Sequence, residues 1–105
     1  MVYAHIMKRI RRSETYKKWF KKLRDNEGKA RILVRTKRLA KGNPGDHRFF
    51  GDISEMRIDC GPGYRVYYKD TGKEIIILLC GGDKSTQQED IEKAREIAKC
   101  YEEEN

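Results

Sequence analysis

A chain of 105 residues with no long Pro-, Gly- or Ser-rich run fits a single domain, 1–105, and 37% hydrophobic against 39% charged residues leave one modest core to close. Lys and Arg outnumber Asp and Glu by 24 to 17, a net charge of +7 that is unevenly spread: Met1 to Lys84 holds 21 basic and 10 acidic residues, Ser85 to Asn105 holds 3 and 7. The basic body points to a polyanion partner, and the lack of a run of about 18 apolar residues, of a secretory leader and of paired spacings for Cys60, Cys80 and Cys100 argues against a membrane span or a disulfide scaffold and for a cytoplasmic protein.

Met1 to Arg12 places Tyr3, Ile6 and Ile10 among basic residues, which reads as a short edge strand or as an extension ahead of an alternative start at Met7. Ser13 is an N-cap with Glu14 in the first turn, and Tyr16, Trp19, Phe20 and Leu23 follow at helical spacing as a core stripe. Lys17, Lys18, Lys21, Lys22 and Arg24 take the opposite side, a solvated face or a phosphate contact. Asp25, Asn26 and Gly28 break the pattern before a second helix from about Lys29 to Ala40, with Ile32, Leu33, Thr36, Leu39 and Ala40 inward and Lys29, Arg31, Arg35, Lys37, Arg38 and Lys41 outward. KGNPGD stops it, and the two helices form an antiparallel hairpin that needs a sheet to cover its apolar side.

A short strand is expected at His47 to Phe50, then a hairpin in RIDCGPGYRVYY, where Gly61-Pro62-Gly63 joins two alternating runs. With Cys60 opposite Tyr64, Asp59 faces Arg65 and Arg57 faces Tyr67. Met56, Ile58, Cys60, Tyr64, Val66 and Tyr68 then share a core face, with Arg57, Asp59, Arg65, Tyr67 and Lys69 on the other. Ile75 to Cys80 is an uninterrupted apolar run suited to a central strand; closing the turn with Asp70 opposite Lys73 would put Ile76, Leu78 and Cys80 on the arginine side. In that pairing Cys60 and Cys80 lie on opposite faces and cannot form a disulfide. Thr86-Gln87-Gln88-Glu89 reads as a capping box for a last helix, whose Ile91, Ala94, Ala98 and Tyr101 cover the far strand before Glu102 to Glu104 fray. The sum is an α+β fold: two N-terminal helices on a mostly antiparallel four- to five-stranded sheet, plus a C-terminal helix.

Arg57, Arg65 and Tyr67 are left in an open concavity rimmed by Gly81-Gly82-Asp83-Lys84. Guanidinium forks match phosphate oxygens and a phenol can stack a base, although the same residues on a wet sheet face are commonly no more than solvated cross-strand pairs. Two histidines and three scattered cysteines give no metal-ligand spacing, and no constellation of carboxylates suits Mg²⁺, so neither a metal nor another cofactor is expected.

The runs ETYKKWFKKL, ARILVRTKRLAKGNPGD, EMRIDCGPGYRVYY and LLCGGDKSTQQEDIEKA, in that order between Ser13 and Ala98, resemble the RelE/ParE superfamily of bacterial toxins, most closely its HigB-like addiction module killer proteins. The resemblance implies two helices on one face of a mostly antiparallel sheet, a cognate antitoxin of helix-turn-helix type, and cleavage of mRNA on the ribosome by attack of a ribose 2′-OH on its own phosphodiester without a metal. Arg57 and Arg65 match basic positions of the family's sheet site, and Lys84 matches the basic residue after GGD. These are the expected catalytic groups, with Tyr67, His47 and Lys69 as RNA contacts. The proton-transfer group stays open among Lys84, Tyr67 and His47. Better understood members carry a histidine or tyrosine near the C-terminus; here Tyr101 is the one candidate, and its helical phase points to the core. A ParE-like DNA gyrase poison without nuclease residues, or a plain RNA-binding module, are the alternatives.

Overall fold

The structure, a computed structural model, describes residues 7–103; Tyr3 and Ile6 of the expected first strand lie outside them. In chain order the elements are β1 (Arg9–Arg12), α1 (Glu14–Lys22), α2 (Asn26–Ala40), β2 (His47–Phe49), β3 (Ser54–Ile58), β4 (Tyr64–Asp70), β5 (Ile75–Asp83), a 3₁₀ turn (Lys84–Thr86) and α3 (Gln87–Glu103). The sheet runs β1-β5-β4-β3-β2, antiparallel except where β1 lies parallel to β5. Among the described residues no helix is long and apolar enough to cross a membrane.

Helix limits follow their caps. The Ser13 hydroxyl accepts from the Tyr16 N–H at 3.0 Å and donates to the Leu79 carbonyl at 2.5 Å, so one side chain starts α1 and ties it to β5. Asp25 caps α2 by accepting from Gly28 N–H at 3.0 Å, which starts the helix three residues earlier than the sequence pattern suggests. Gly28 is then no breaker: a Cβ there would lie 2.6 Å from the Tyr64 ring. At the C-terminal helix the expected cap moves upstream, because Asp83 accepts from Ser85 N–H and the Thr86 hydroxyl accepts from Asp83 N–H. Helical structure then continues through Glu103, past the point where fraying was expected.

The sheet separates two cores. Tyr16, Ile32 and Leu39 of α1 and α2 pack on Met56, Ile58, Tyr64, Val66, Tyr68, Ile76 and Leu78; Ile91, Ala94 and Ala98 of α3 pack on Ile53, Tyr67, Ile77, Leu79 and Cys80. Two register expectations are corrected. In the β3–β4 hairpin Ile58 pairs with Tyr64 and Arg57 with Arg65, so the loop has five residues rather than three; Gly61 and Gly63 both take positive φ (56° and 81°) to close it. A slip of two leaves the side chains that stay paired on their expected faces, while Asp59 and Cys60 pass into the loop. Between β4 and β5 Asp70 pairs with Ile76, which turns Ile76 and Leu78 to the α1/α2 side, opposite to expectation. A bulge between Tyr67 and Tyr68 then leaves Leu79 extra on β5 and returns Cys80 to the α3 side. Cys60 and Cys80 are therefore on opposite faces, as expected, and all three cysteines are free.

Arg35 departs from the expected outer face of α2. Its guanidinium donates to the carbonyls of Arg57 (2.5 Å), Pro44 (2.8 Å) and Asp46 (3.0 Å), binding the KGNPGD loop to β3, and burial lowers its pKa. Gly45, at φ 67°, leaves room for that group, since a Cβ would lie 2.9 Å from Arg35 Nη2.

Candidate anion site on the α3 face of the sheet

Side chains that share the α3 face form transverse rows. Arg48, Glu55, Tyr67 and Cys80 are successive cross-strand neighbours in one row, and Arg57, Arg65 and Gly82 in the next. Like charges directly opposite each other on a sheet repel, so the Arg57–Arg65 pair needs a counter-charge. Glu55 supplies it. Its side chain has no solvent exposure, with Oε1 3.2 Å from Arg57 Nε and Oε2 4.0 Å from Arg65 Nε, the second too long for a hydrogen bond. Gln87, the first residue of α3, donates to Glu55 Oε2 at 2.8 Å.

Arg65 is the more enclosed arginine, its side chain 15% exposed against 35% for Arg57, and its buried Nε has no hydrogen-bond partner among the described residues. That buried Nε faces Glu55, while the terminal guanidinium nitrogens make no hydrogen bond among the described residues and are the atoms an incoming oxyanion can reach. Gly82 beside it carries no side chain, and a Cβ there would collide with the Asp90 carboxylate, which folds over the strand and bonds the Thr86 hydroxyl at 2.6 Å. Burial raises the Asp90 pKa despite that bond.

The other expected site residues fare differently. Lys84 is exposed in the 3₁₀ turn, beside the hairpin loop, where a Cβ on Gly63 would lie 3.5 Å from its own Cβ. Tyr67 is corrected: it is 0% exposed beneath α3 and cannot stack a base. Its hydroxyl makes no hydrogen bond among the described residues, and burial first, then the Glu55 carboxylate, push its pKa upward, the reverse of the arginine-lowered phenol expected of a base. His47 is also corrected, because it pairs with Met56 and so faces the α2 side, with Nδ1 2.9 Å from the Gly45 carbonyl; Arg48 holds the place on the arginine face. Lys69 stays on that face but donates to the Asp52 carbonyl at 3.0 Å and lies 3.8 Å from Glu102, away from Arg65. Tyr101 packs partly buried against the α3 core, beneath the Arg11 guanidinium at 4.6 Å, as its phase suggested.

A protein of Haemophilus influenzae, described as an uncharacterized protein, is 49% identical over 90 residues, which span 85% of this chain and 91% of the relative. The two belong to one family. No family model matches the sequence, and no solved structure does.

Glu55 and Gln87 are the site residues that sequence reasoning passed over. Glu55 stands two residues before Arg57 on a strand, hence on the same face, and that spacing was the available signal. Gln87 offered none, since its reach to Glu55 depends on how α3 docks. Cys80 is no candidate nucleophile: burial, then Asp90, push its thiol up to about 12. Among the described residues no three His, Cys, Asp or Glu side chains gather as metal ligands.

Proposed function

We propose that this chain is the toxin of a type II toxin–antitoxin module, a cytoplasmic, ribosome-dependent endoribonuclease that cuts mRNA. The observation that carries the reading is the Arg65 guanidinium, part-buried on a rigid strand with Arg57 directly opposite, whose terminal nitrogens make no hydrogen bond among the described residues. In the reaction the ribose 2′-oxygen bonds to phosphorus as its proton passes to a base, and the P–O5′ bond breaks as the 5′-oxygen gains a proton. Negative charge grows on the non-bridging oxygens, so guanidinium groups already in place stabilise the transition state more than the ground state. Arg65 and Arg57 take that role. Lys84, exposed at the rim, is the group assigned to proton transfer, since Tyr67 and His47 do not reach this face of the sheet as solvent-accessible groups. The partners are mRNA on the ribosome and a helix-turn-helix antitoxin.

The same loss of Tyr67 and His47 favours a second reading, a DNA gyrase poison that binds a polyanion without cutting it. RNA recovered after induction separates the two. The nuclease leaves breaks inside reading frames with 2′,3′-cyclic phosphate and 5′-hydroxyl ends, and Arg65→Ala, melting as the wild type does, leaves messages whole. Intact messages beside broken DNA in the wild type would refute the nuclease.

A further inference from the structure

We infer that Glu55 and Gln87 are positioning residues for the arginine pair: the buried carboxylate, anchored by α3, hydrogen-bonds Arg57 at Nε, faces Arg65 Nε by charge alone, and leaves the outer forks of both for an oxyanion. The inference rests on the reading of this face as the phosphate site. Its basis is which atoms meet. Glu55 approaches Arg57 and Arg65 at Nε in both cases, 3.2 and 4.0 Å away, and not at the terminal nitrogens that make bidentate contacts with phosphate. Among the described residues neither arginine donates a hydrogen bond from those terminal atoms.

Stability alone gives a poor account of Glu55. A carboxylate with no exposure is costly to desolvate, and an apolar residue of similar volume commonly serves a core as well or better. Here the carboxylate lies under α3 with one oxygen toward each arginine, and Gln87 fixes the second oxygen at 2.8 Å, so its rotamer is set from the helix as well as from the sheet. A site held this way is complete only while α3 is docked. The arrangement also cuts the local charge of the pair from two to one, and this makes the inference testable by sign. If Glu55 were only a competitor for the arginines, removing its charge would tighten polyanion binding; if it positions them, removal weakens binding although the protein becomes more basic.

The probe is a short fluorescent single-stranded RNA with 2′-O-methyl riboses, which cannot be cut, titrated at fixed ionic strength into wild type, Glu55→Gln, Gln87→Ala and Arg65→Ala. Melting temperature is recorded for each. Gln87→Ala leaves the net charge unchanged and should weaken binding roughly fivefold. Glu55→Gln should weaken it roughly tenfold despite the added positive charge. In arginine ¹⁵N–¹H spectra the Nε–H signal of Arg57 should shift in both variants. RNA binding that depends on Arg65 but is unchanged or tighter in Gln87→Ala and Glu55→Gln overturns the positioning role and leaves the site standing. Equal binding by wild type and Arg65→Ala, or none by either, overturns the phosphate site and the inference with it. Should Glu55→Gln fail to fold, Gln87→Ala decides alone.

Discussion

Tyr67→Phe separates a buried structural tyrosine from a working one. The ring lies wholly beneath α3 among Ile53, Leu79, Cys80 and Ile91, and its hydroxyl is buried without a hydrogen bond among the described residues. A buried polar group left unpaired costs about 1–3 kcal/mol, and phenylalanine keeps the ring while removing the oxygen. Because the Glu55 carboxylate acts on this hydroxyl electrostatically, we take the low end of that range. The variant should gain about 1 kcal/mol, or about 5 °C in melting temperature for a domain of this size. There is a second signature at high pH. The folded-state pKa of Tyr67 is raised above 10.0, so its contribution is fully present below pH 10.0 and is lost as pH rises beyond it. Wild type should therefore lose stability there that Tyr67→Phe retains. Thermal melts between pH 7 and 11 and growth arrest on induction are the assays. A loss of more than about 1 kcal/mol at neutral pH would mean that the hydroxyl is bonded to Glu55 after all. A well-folded variant that no longer arrests growth would return the phenol to the reaction.

Two further predictions concern the scaffold. The Trp19 ring occupies the space that a Cβ on Gly81 would need, so Gly81→Ala should destabilise by about 1–3 kcal/mol through overpacking, read as a lower urea midpoint with an unchanged slope; wild-type stability would show that α1 can shift freely on β5. At low pH the lowered pKa values of Asp25, held first by the Gly28 N–H and then by the Tyr64 hydroxyl, and of Asp83, held by the Ser85 hydroxyl and N–H, place their contributions above pH 3.8, to be lost as pH falls below it. Asp25→Asn can still cap α2 but carries no charge, so its melting temperature should fall less steeply below pH 4; the same slope as wild type would remove Asp25 from the acid transition.

The mixed charge of the arginine face alters what a basic chain implies. Net charge alone suggests an open positive surface, yet the two arginines share one buried carboxylate, and Asp90 folds over the neighbouring strand. On the proposed reading, long-range attraction of a polyanion comes from the exposed lysines of α1 and α2. On the same reading, selection at the site comes from a small set of held guanidinium groups.

The sequence by itself determined the helices, the strands and the two faces of the hairpin. Ser13 and the stripe Tyr16, Trp19, Phe20 and Leu23 define α1 because a cap and a 3.6-residue period are local properties of the chain. The face that carries Arg57 and Arg65 was legible even with the pairing misjudged by two residues, since alternation depends only on whether a slip is odd or even. Only the tertiary structure decided the rest. Ile75 to Leu79 is apolar throughout and carries no parity signal, so the turn after Asp70 and the bulge at Leu79 chose which of its side chains meet α3. The docking of α3 buried Tyr67, joined Gln87 to Glu55 and left Arg65 partly open, while the loop after α2 drew Arg35 inward. Each of these outcomes joins residues far apart in the chain, and such contacts are set by how whole elements pack rather than by any local pattern.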